Sequence, residues 1–174
     1  MFKINSWFLL SAVLFVTSAG LAEQPIFVKE FLGQADFVKS RLLQLAEAMP
    51  EDKYNWTPGE GVRTVGEVYM HAAESNYYML SLIKGEKDYT EPPVSKSDKK
   101  TALESLEKSF DNLKETAAKF TDEDLNREID AFGMKFTVRN FMVTILNHLH
   151  EHLGQSIAYA RMNGVTPPWS KKGE

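Results

Sequence analysis

Six apolar residues recur along one segment with the spacing of a helix that packs against other helices. They follow one another at steps of three, four, three, four and three positions, as Leu103, Leu106, Phe110, Leu113, Ala117 and Phe120. This alternation places all six on one side of a helix and is typical of the seam of a helical bundle. A seam of this kind needs other apolar helices to cover it, so the pattern predicts an all-α fold.

Two segments before this seam carry helical periodicity of their own. Apolar residues recur at three- and four-residue steps over residues 27–49, and a proline follows. A second helix is predicted over about 65–84, because Thr64 and Glu67 form a capping box at its start and Gly85 ends it. Together with the seam helix, these segments give three helices of a bundle.

The last helix follows a short excursion of the chain. Residues 129–136, broken by Gly133, predict an extended excursion or a tight hairpin. Thr137 then caps a helix that continues to about Asn163 and ends at Gly164. Steps of four, three, four, three and four positions predict its inward stripe, which consists of Phe141, Ile145, His148, His152, Gln155 and Tyr159.

The first 22 residues are predicted to be a signal peptide. An apolar run follows Lys3, and Gly20 and Ala22 are small residues of the kind found before a signal-peptidase cut, which is predicted after Ala22. The run is shorter and more polar than the roughly 20 apolar residues of a membrane span, so we expect no stable span after cleavage. We therefore expect one domain, residues 23–174, in the periplasm or secreted.

Composition restricts the partners and the chemistry. The chain has 24 acidic and 20 basic residues, a net charge of −4, which argues against nucleic acid as the main partner. It contains no cysteine. The protein itself therefore performs no thiol redox chemistry, and any sulfur chemistry needs a thiol from outside.

Two of the four histidines stand four positions apart on the inward stripe of the last helix. At this spacing His148 and His152 stack on one helical face, where two imidazoles can bind a single divalent metal. His71, two turns into the second helix, supplies a third nitrogen if the two helices meet, whereas His150 points to the other side. The alternative is that the pair consists of core histidines hydrogen-bonded to Ser, Asn or backbone groups.

These patterns together resemble the DinB-like (DinB/YfiT) superfamily of metalloenzymes. The resemblance covers nearly all of residues 25–170 and says little about a substrate. It rests on three stretches: Arg63-Thr64-Val65-Gly66-Glu67 through His71, His148-x-x-x-His152-x-Gly154-Gln155, and Tyr159-Ala160-Arg161-Met162-Asn163-Gly164 followed by Pro167-Pro168.

The resemblance implies an up-down-down-up four-helix bundle with a metal bound by three histidines, His71, His148 and His152. Zinc or nickel suits three imidazoles with a position left for water or substrate. Gly154 is expected to let a neighbouring backbone approach. Gln155 is expected to support His152 by a hydrogen bond, and an ordinary hydrogen bond within the helix is an equally favoured role for it.

The resemblance also implies a reaction, since several relatives resemble metal-dependent transferases that activate a low-molecular-weight thiol. Such thiols are abundant in the cytosol. The predicted export therefore argues against assigning thiol transfer to this protein from the resemblance alone. The leading hypothesis is therefore an exported metal-binding bundle that acts as a transferase or hydrolase on an unidentified small molecule. The alternative is a non-catalytic exported bundle that binds a small ligand and uses any metal structurally. Whether the bundle forms a homodimer stays open.

Overall fold

Long helices account for most of the structure. A computed structural model describes residues 23–86, 89 and 97–170, and the predicted signal peptide lies outside these residues. Single turns of 3-10 helix lie at Glu51–Lys53 and Pro168–Ser170. The other elements are, in chain order, α1 (Ile26–Ala48), α2 (Val65–Lys84), α3 (Lys99–Ala117), α4 (Asp122–Asn126), β1 (Glu128–Ala131), β2 (Met134–Thr137) and α5 (Val138–Met162).

The four long helices form a bundle in which α1 and α2 lie diagonally opposite each other. Instead, α3 and α5 each pack against both α1 and α2. Lys39 of α1 pairs with Asp111 of α3, and the earlier Asp36 pairs with the later Lys114. The helices α1 and α3 are therefore antiparallel.

By contrast, α2 and α3 run in the same direction although they are consecutive in the chain. Gly66 at the start of α2 lies against Ser97, just before α3. Halfway along both helices, the Asn76 side-chain amide donates a hydrogen bond to Ser109 Oγ at 3.1 Å. Because α5 runs antiparallel to α2, the order of directions is up-down-down-up, and the predicted four-helix bundle is confirmed.

The predicted apolar stripes form the core of this bundle. On α3 the middle of the seam is fully buried and Leu103 is half-buried. Phe120 is also half-buried and lies three residues beyond the end of α3 at Ala117, so the helix is shorter than the predicted seam. On α5 the predicted stripe faces inward: Phe141, Ile145 and Tyr159 are buried, and the two histidines and Gln155 are half-buried. Within the described residues no helix combines the length and apolarity needed to cross a bilayer.

Local sequence signals set the helix ends and the hairpin. At the start of α2, Thr64 Oγ1 accepts from the Glu67 N–H (3.3 Å) and the Glu67 carboxylate accepts from the Thr64 N–H (2.7 Å). Gly85, with φ 72°, ends α2. The predicted hairpin is present as the antiparallel pair β1 and β2. In its two-residue turn, Phe132 and Gly133 have φ values of 53° and 74°, the left-handed conformation that hairpin loops favour.

Gly66 is the glycine at which two backbones meet closely. A Cβ added to Gly66 would lie 1.9 Å from the carbonyl oxygen of Ser97. A Cβ added to Gly154 would meet no described atom within 4 Å outside its own helix, so the expectation that Gly154 admits a neighbouring backbone is wrong. The physical reason is that Gly154 lies on the exposed side of α5.

We expect Gly66→Ala to lower the free energy of unfolding by about 2 kcal/mol or more, because the added methyl group overlaps the Ser97 carbonyl. Gly33→Ala is the matched control, since Gly33 is an exposed glycine of α1 with nothing within 4 Å. It should raise the free energy of unfolding by about 0.8 kcal/mol through helix propensity. Urea unfolding followed by circular dichroism measures both, and equal effects would contradict the close approach at Gly66.

Candidate metal centre

Three histidines from two helices meet inside the bundle. His71 comes from α2, and His148 and His152 come from α5. His148 Nε2 lies 3.3 Å from His71 Nε2 and 3.1 Å from His152 Nε2. One ring nitrogen from each histidine lies within 4.8 Å of the other two. The structure thus brings together the three residues that the sequence analysis proposed as ligands.

Antiparallel packing of α2 and α5 produces this meeting. The four-residue step between His148 and His152 puts both rings on the side of α5 that faces α2. His71 lies on the side of α2 that faces α5. The three rings pack edge to face in every pair, with centroids 4.5 to 5.2 Å apart.

The fourth histidine lies elsewhere. His150 is exposed, its Nδ1–H donates to the Leu146 carbonyl at 2.8 Å, and its ring stacks on Phe37 of α1 with centroids 6.5 Å apart. The expectation that His150 points away from the histidine pair is confirmed. It provides a natural control for experiments on the other three histidines.

The environment keeps the three clustered imidazoles neutral at pH 7. Burial, with smaller effects of Arg63 and His152, lowers the pKa of His71 to about 4. Burial also lowers the pKa of His148 to about 4, with smaller effects of His152, His71 and Arg63. The pKa of His152 is lowered by burial and partly restored by its hydrogen bond to Gln155. Neutral imidazoles have free lone pairs and are ready to bind a cation without first losing a proton.

A chain of hydrogen bonds holds His152 at Nδ1, the ring nitrogen that faces away from the other two histidines. Gln155 Oε1 lies 2.9 Å from His152 Nδ1, and Gln155 Nε2 donates to the Tyr159 hydroxyl at 3.0 Å. That hydroxyl donates to the Arg63 carbonyl at 3.2 Å, and the ring of Trp56 packs edge-on against Tyr159 at 5.4 Å. With its proton held on Nδ1 by Gln155, His152 presents a bare Nε2 to the cluster. The structure thus shows the hydrogen bond between Gln155 and His152, and the role of Gln155 in supporting a metal ligand stays a prediction.

Two residues of this arrangement were not singled out from the sequence. Tyr159 was predicted only as an inward position, although its four-residue step from Gln155 is a signal that the two side chains meet. Arg63 was quoted only as part of the resemblance. Its position depends on the loop before α2, and no local pattern predicts that loop conformation.

The three nitrogens fit the geometry of a bound divalent metal. Imidazole nitrogens at about 2.0–2.1 Å from a tetrahedral zinc ion stand about 3.3 Å apart. The Nε2 separations of 3.3 and 3.1 Å are close to that value. Within the described residues these three side chains form the one such cluster, and no further His, Cys, Asp or Glu side chain joins them there. Three neutral ligands with a remaining position are typical of metal sites that bind water or substrate.

Comparison with known sequences gives a match over most of the chain. The sequence profile of the DinB superfamily matches residues 34–156. The uncharacterized protein YjoA of Bacillus subtilis is 31% identical over 130 residues, which cover 71% of this chain and 82% of YjoA.

Solved structures with a similar fold agree with this match. The crystal structure of YjoA, described as a DinB-like protein, has a TM-score of 0.63 and 25% identity, and covers 80% of this chain and 92% of its own. A DinB-like protein from Bacillus cereus gives a TM-score of 0.66 at 24% identity, with coverages of 80% and 95%. YfiT from Bacillus subtilis, described as a probable metal-dependent hydrolase with an unusual four-helix bundle topology, gives 0.65 at 19% identity, with coverages of 80% and 89%. The last two likenesses concern the fold alone.

The lowered histidine pKa values predict how the stability of the metal-free protein depends on pH. Histidines of the unfolded chain titrate near 6.5, whereas His71 and His148 of the folded chain titrate at about 4. Between these values only the unfolded chain binds these protons, so the free energy of unfolding is highest above pH 6.5 and falls as the pH is lowered towards 4.

Urea unfolding of chelator-treated protein at several pH values between 7.5 and 4 measures this fall. The double variant His71→Gln/His148→Gln removes both groups and leaves the carboxylates unchanged, so its loss of stability should be smaller. An equal loss in the wild type and the double variant would contradict the lowered pKa values.

Proposed function

The chain belongs to the DinB superfamily, and from this membership together with the histidine cluster we propose that it binds one divalent metal ion through His71, His148 and His152. The observation that carries the proposal is the convergence of three neutral Nε2 atoms, two of the separations being 3.1 and 3.3 Å. Zinc or nickel is the proposed ion, because both suit imidazole ligands.

The residues of the chain prepare this site in three ways. The helices α2 and α5 fix the distance between His71 and the histidine pair. Burial keeps all three rings neutral, and the Gln155 amide fixes the proton of His152 on the nitrogen that faces away from the cluster. A bound divalent ion would supply a Lewis acid that lowers the pKa of a water or thiol in the remaining coordination position.

We propose hydrolysis of a small-molecule substrate as the activity. The three rings are half-buried rather than sealed, so a small ligand has access to them. YfiT, which shares the fold, is described as a probable metal-dependent hydrolase. Thiol transfer, the activity implied by the resemblance, uses the same coordination position for a thiol supplied from outside. A dependence of product formation on added thiol distinguishes the two reactions.

The location and partners of the protein are part of the proposal. We propose that the domain 23–174 works in the periplasm or outside the cell, on the strength of the N-terminal apolar run and the small residues Gly20 and Ala22. A small molecule rather than nucleic acid is the proposed partner, given the net charge of −4.

Metal content of purified variants tests the ligand set. Wild-type protein should hold about one zinc or nickel ion per chain, and His71→Ala, His148→Ala and His152→Ala should each lose most of it, because a divalent ion bound by two imidazoles dissociates readily. His150→Ala is the matched control and should keep the wild-type content, since His150 is exposed on another side of α5. Elemental analysis by mass spectrometry gives the stoichiometry. Metal retention by all four variants, or equal loss from all four, would refute the ligand set.

The support of His152 by Gln155 has its own test. Gln155→Leu leaves the His152 Nδ1–H without its acceptor, so metal affinity should fall roughly tenfold or more. Gln155→Glu supplies a carboxylate acceptor at the same place and should bind the metal at least as tightly as the wild type. Competition with a chromophoric chelator measures both affinities. Wild-type affinity in the leucine variant would limit Gln155 to a hydrogen bond within the helix.

A further inference from the structure

An arginine stands at the edge of the histidine cluster. Arg63 Nη2 lies 3.5 Å from His71 Nδ1, and the Arg63 side chain is otherwise exposed. Its backbone is held in place, because its carbonyl accepts from the Tyr159 hydroxyl at 3.2 Å and the next residue, Thr64, is the N-cap of α2. The guanidinium is thus positioned beside the cluster without belonging to the core.

The charge of this arginine is not neutralised within the described residues. The ion pairs found there involve other lysines and arginines, and no described carboxylate lies within ion-pair distance of Arg63. Its hydrogen-bond partner is a neutral imidazole, which offers one lone pair, whereas a guanidinium carries five N–H donors. Most of these donors are therefore available to a ligand.

Arg63 is the charged group that acts on all three histidines of the cluster. Arg63 lowers the pKa of each of the three histidines, so its charge is felt throughout the site. Of the nearby acidic groups, Glu151 affects His152 and is the weakest influence on it, and Glu67 already accepts from the Thr64 N–H in the capping box. Three neutral ligands would leave the charge of a bound divalent ion uncompensated, and Arg63 adds to it.

The N-terminus of α2 next to Arg63 offers no free donors to an anion. Each of its first four N–H groups already has an acceptor within the chain. The pairs are Val65 with the Trp56 carbonyl (3.0 Å), Gly66 with the Tyr54 carbonyl (2.9 Å), Glu67 with Thr64 Oγ1 (3.3 Å) and Val68 with the Thr64 carbonyl (3.0 Å). At this end of α2 the guanidinium of Arg63 therefore has donors to spare, whereas the backbone N–H groups of the first turn have none.

We propose that Arg63 binds an oxyanion group, a carboxylate or phosphate, of a small ligand that occupies the three-histidine site. A guanidinium fork matches both groups by paired hydrogen bonds. When His71 uses Nε2 as a metal ligand, the single proton of the neutral ring is on Nδ1 instead, which can no longer accept from Arg63, so the guanidinium is free for the ligand. This inference rests on the proposed metal site and adds that its substrate is an anionic small molecule.

Anion titrations of the cobalt(II)-substituted protein test the proposal, with inorganic phosphate and acetate as separate probes at constant ionic strength. The visible spectrum of the cobalt ion reports occupancy of its coordination position. Arg63→Gln should weaken the binding of the preferred anion roughly tenfold, the effect of losing a charge-assisted hydrogen bond, and Arg63→Lys should weaken it less. The ratio of the two affinities tells whether the oxyanion is a carboxylate or a phosphate. Because the Tyr159 hydroxyl bonds the Arg63 backbone carbonyl, these side-chain variants should keep the fold.

Arg161→Gln is the matched control. Arg161 is an exposed arginine near the end of α5, nine residues and about 14 Å along the helix from His152. This variant should bind both anions like the wild type. Equal affinity in Arg63→Gln and the wild type would overturn the proposal, as would an equal loss in Arg161→Gln.

A second measurement separates this inference from the proposed metal site. Nitrogen-15 spectra of the Arg63 Nε–H in metal-free wild-type protein should shift on addition of phosphate or acetate. A wild-type protein that binds no cobalt but shows this shift would refute the metal site and support the anion site. The absence of a shift in both the metal-free and the cobalt-bound protein would refute the role of Arg63.

Discussion

The close contact between Gly66 at the start of α2 and Ser97, two residues before α3, sets the position of α2 along the axis of the bundle. A bare Gly66 is required there, because the Ser97 carbonyl occupies the space of a Cβ. The position of α2 in turn decides which residues of α5 His71 can meet. A slide by one helical turn would move His71 by about 5.4 Å, more than the present separation of the ring nitrogens, and the cluster would be lost. Packing at the start of α2, five residues before His71, therefore fixes the geometry of the cluster.

Much of this arrangement is predictable from the sequence because it depends on local periodicity. The three- and four-residue steps predict the buried side of each helix, and Thr64 with Glu67 predicts where α2 begins. The same periodicity places His148 and His152 on one inward face. The position of α2 along α5 is a property of tertiary packing. The family resemblance, and no local pattern, therefore predicted that His71 lies close to His148 and His152.

Local sequence patterns did not predict other parts of the structure, again because those parts depend on tertiary packing. The expectation that a neighbouring backbone approaches Gly154 was wrong, because a glycine in the sequence does not show whether any neighbour occupies the space of its missing side chain. The role of Gly66 depends on a residue about thirty positions later. The position of Arg63 follows from a loop whose carbonyl groups at Tyr54 and Trp56 cap α2. The ligand roles of the histidines, the signal peptide and the domain limits stay predictions.

The burial of the three imidazoles has opposite effects on stability and on function. His71 and His148, whose pKa values in the folded chain are about 4, cost the folded chain stability in acid. The same desolvation leaves bare nitrogens that compete little with protons for a cation at neutral pH. Gln155 and Tyr159 compensate part of the cost by hydrogen bonds that also orient His152.

The distance in sequence between the ligands matters for folding. His148 and His152 are adjacent on one helix, whereas His71 lies 77 positions before His148. A cation bound by all three would join two parts of the folded chain that are this far apart, and its binding free energy would add to the free energy of unfolding because the unfolded chain lacks the site. In a chain without cysteine, such an ion would take the place of a disulfide as a cross-link. Unlike a disulfide, it would be reversible and would depend on the metal concentration instead of on redox conditions.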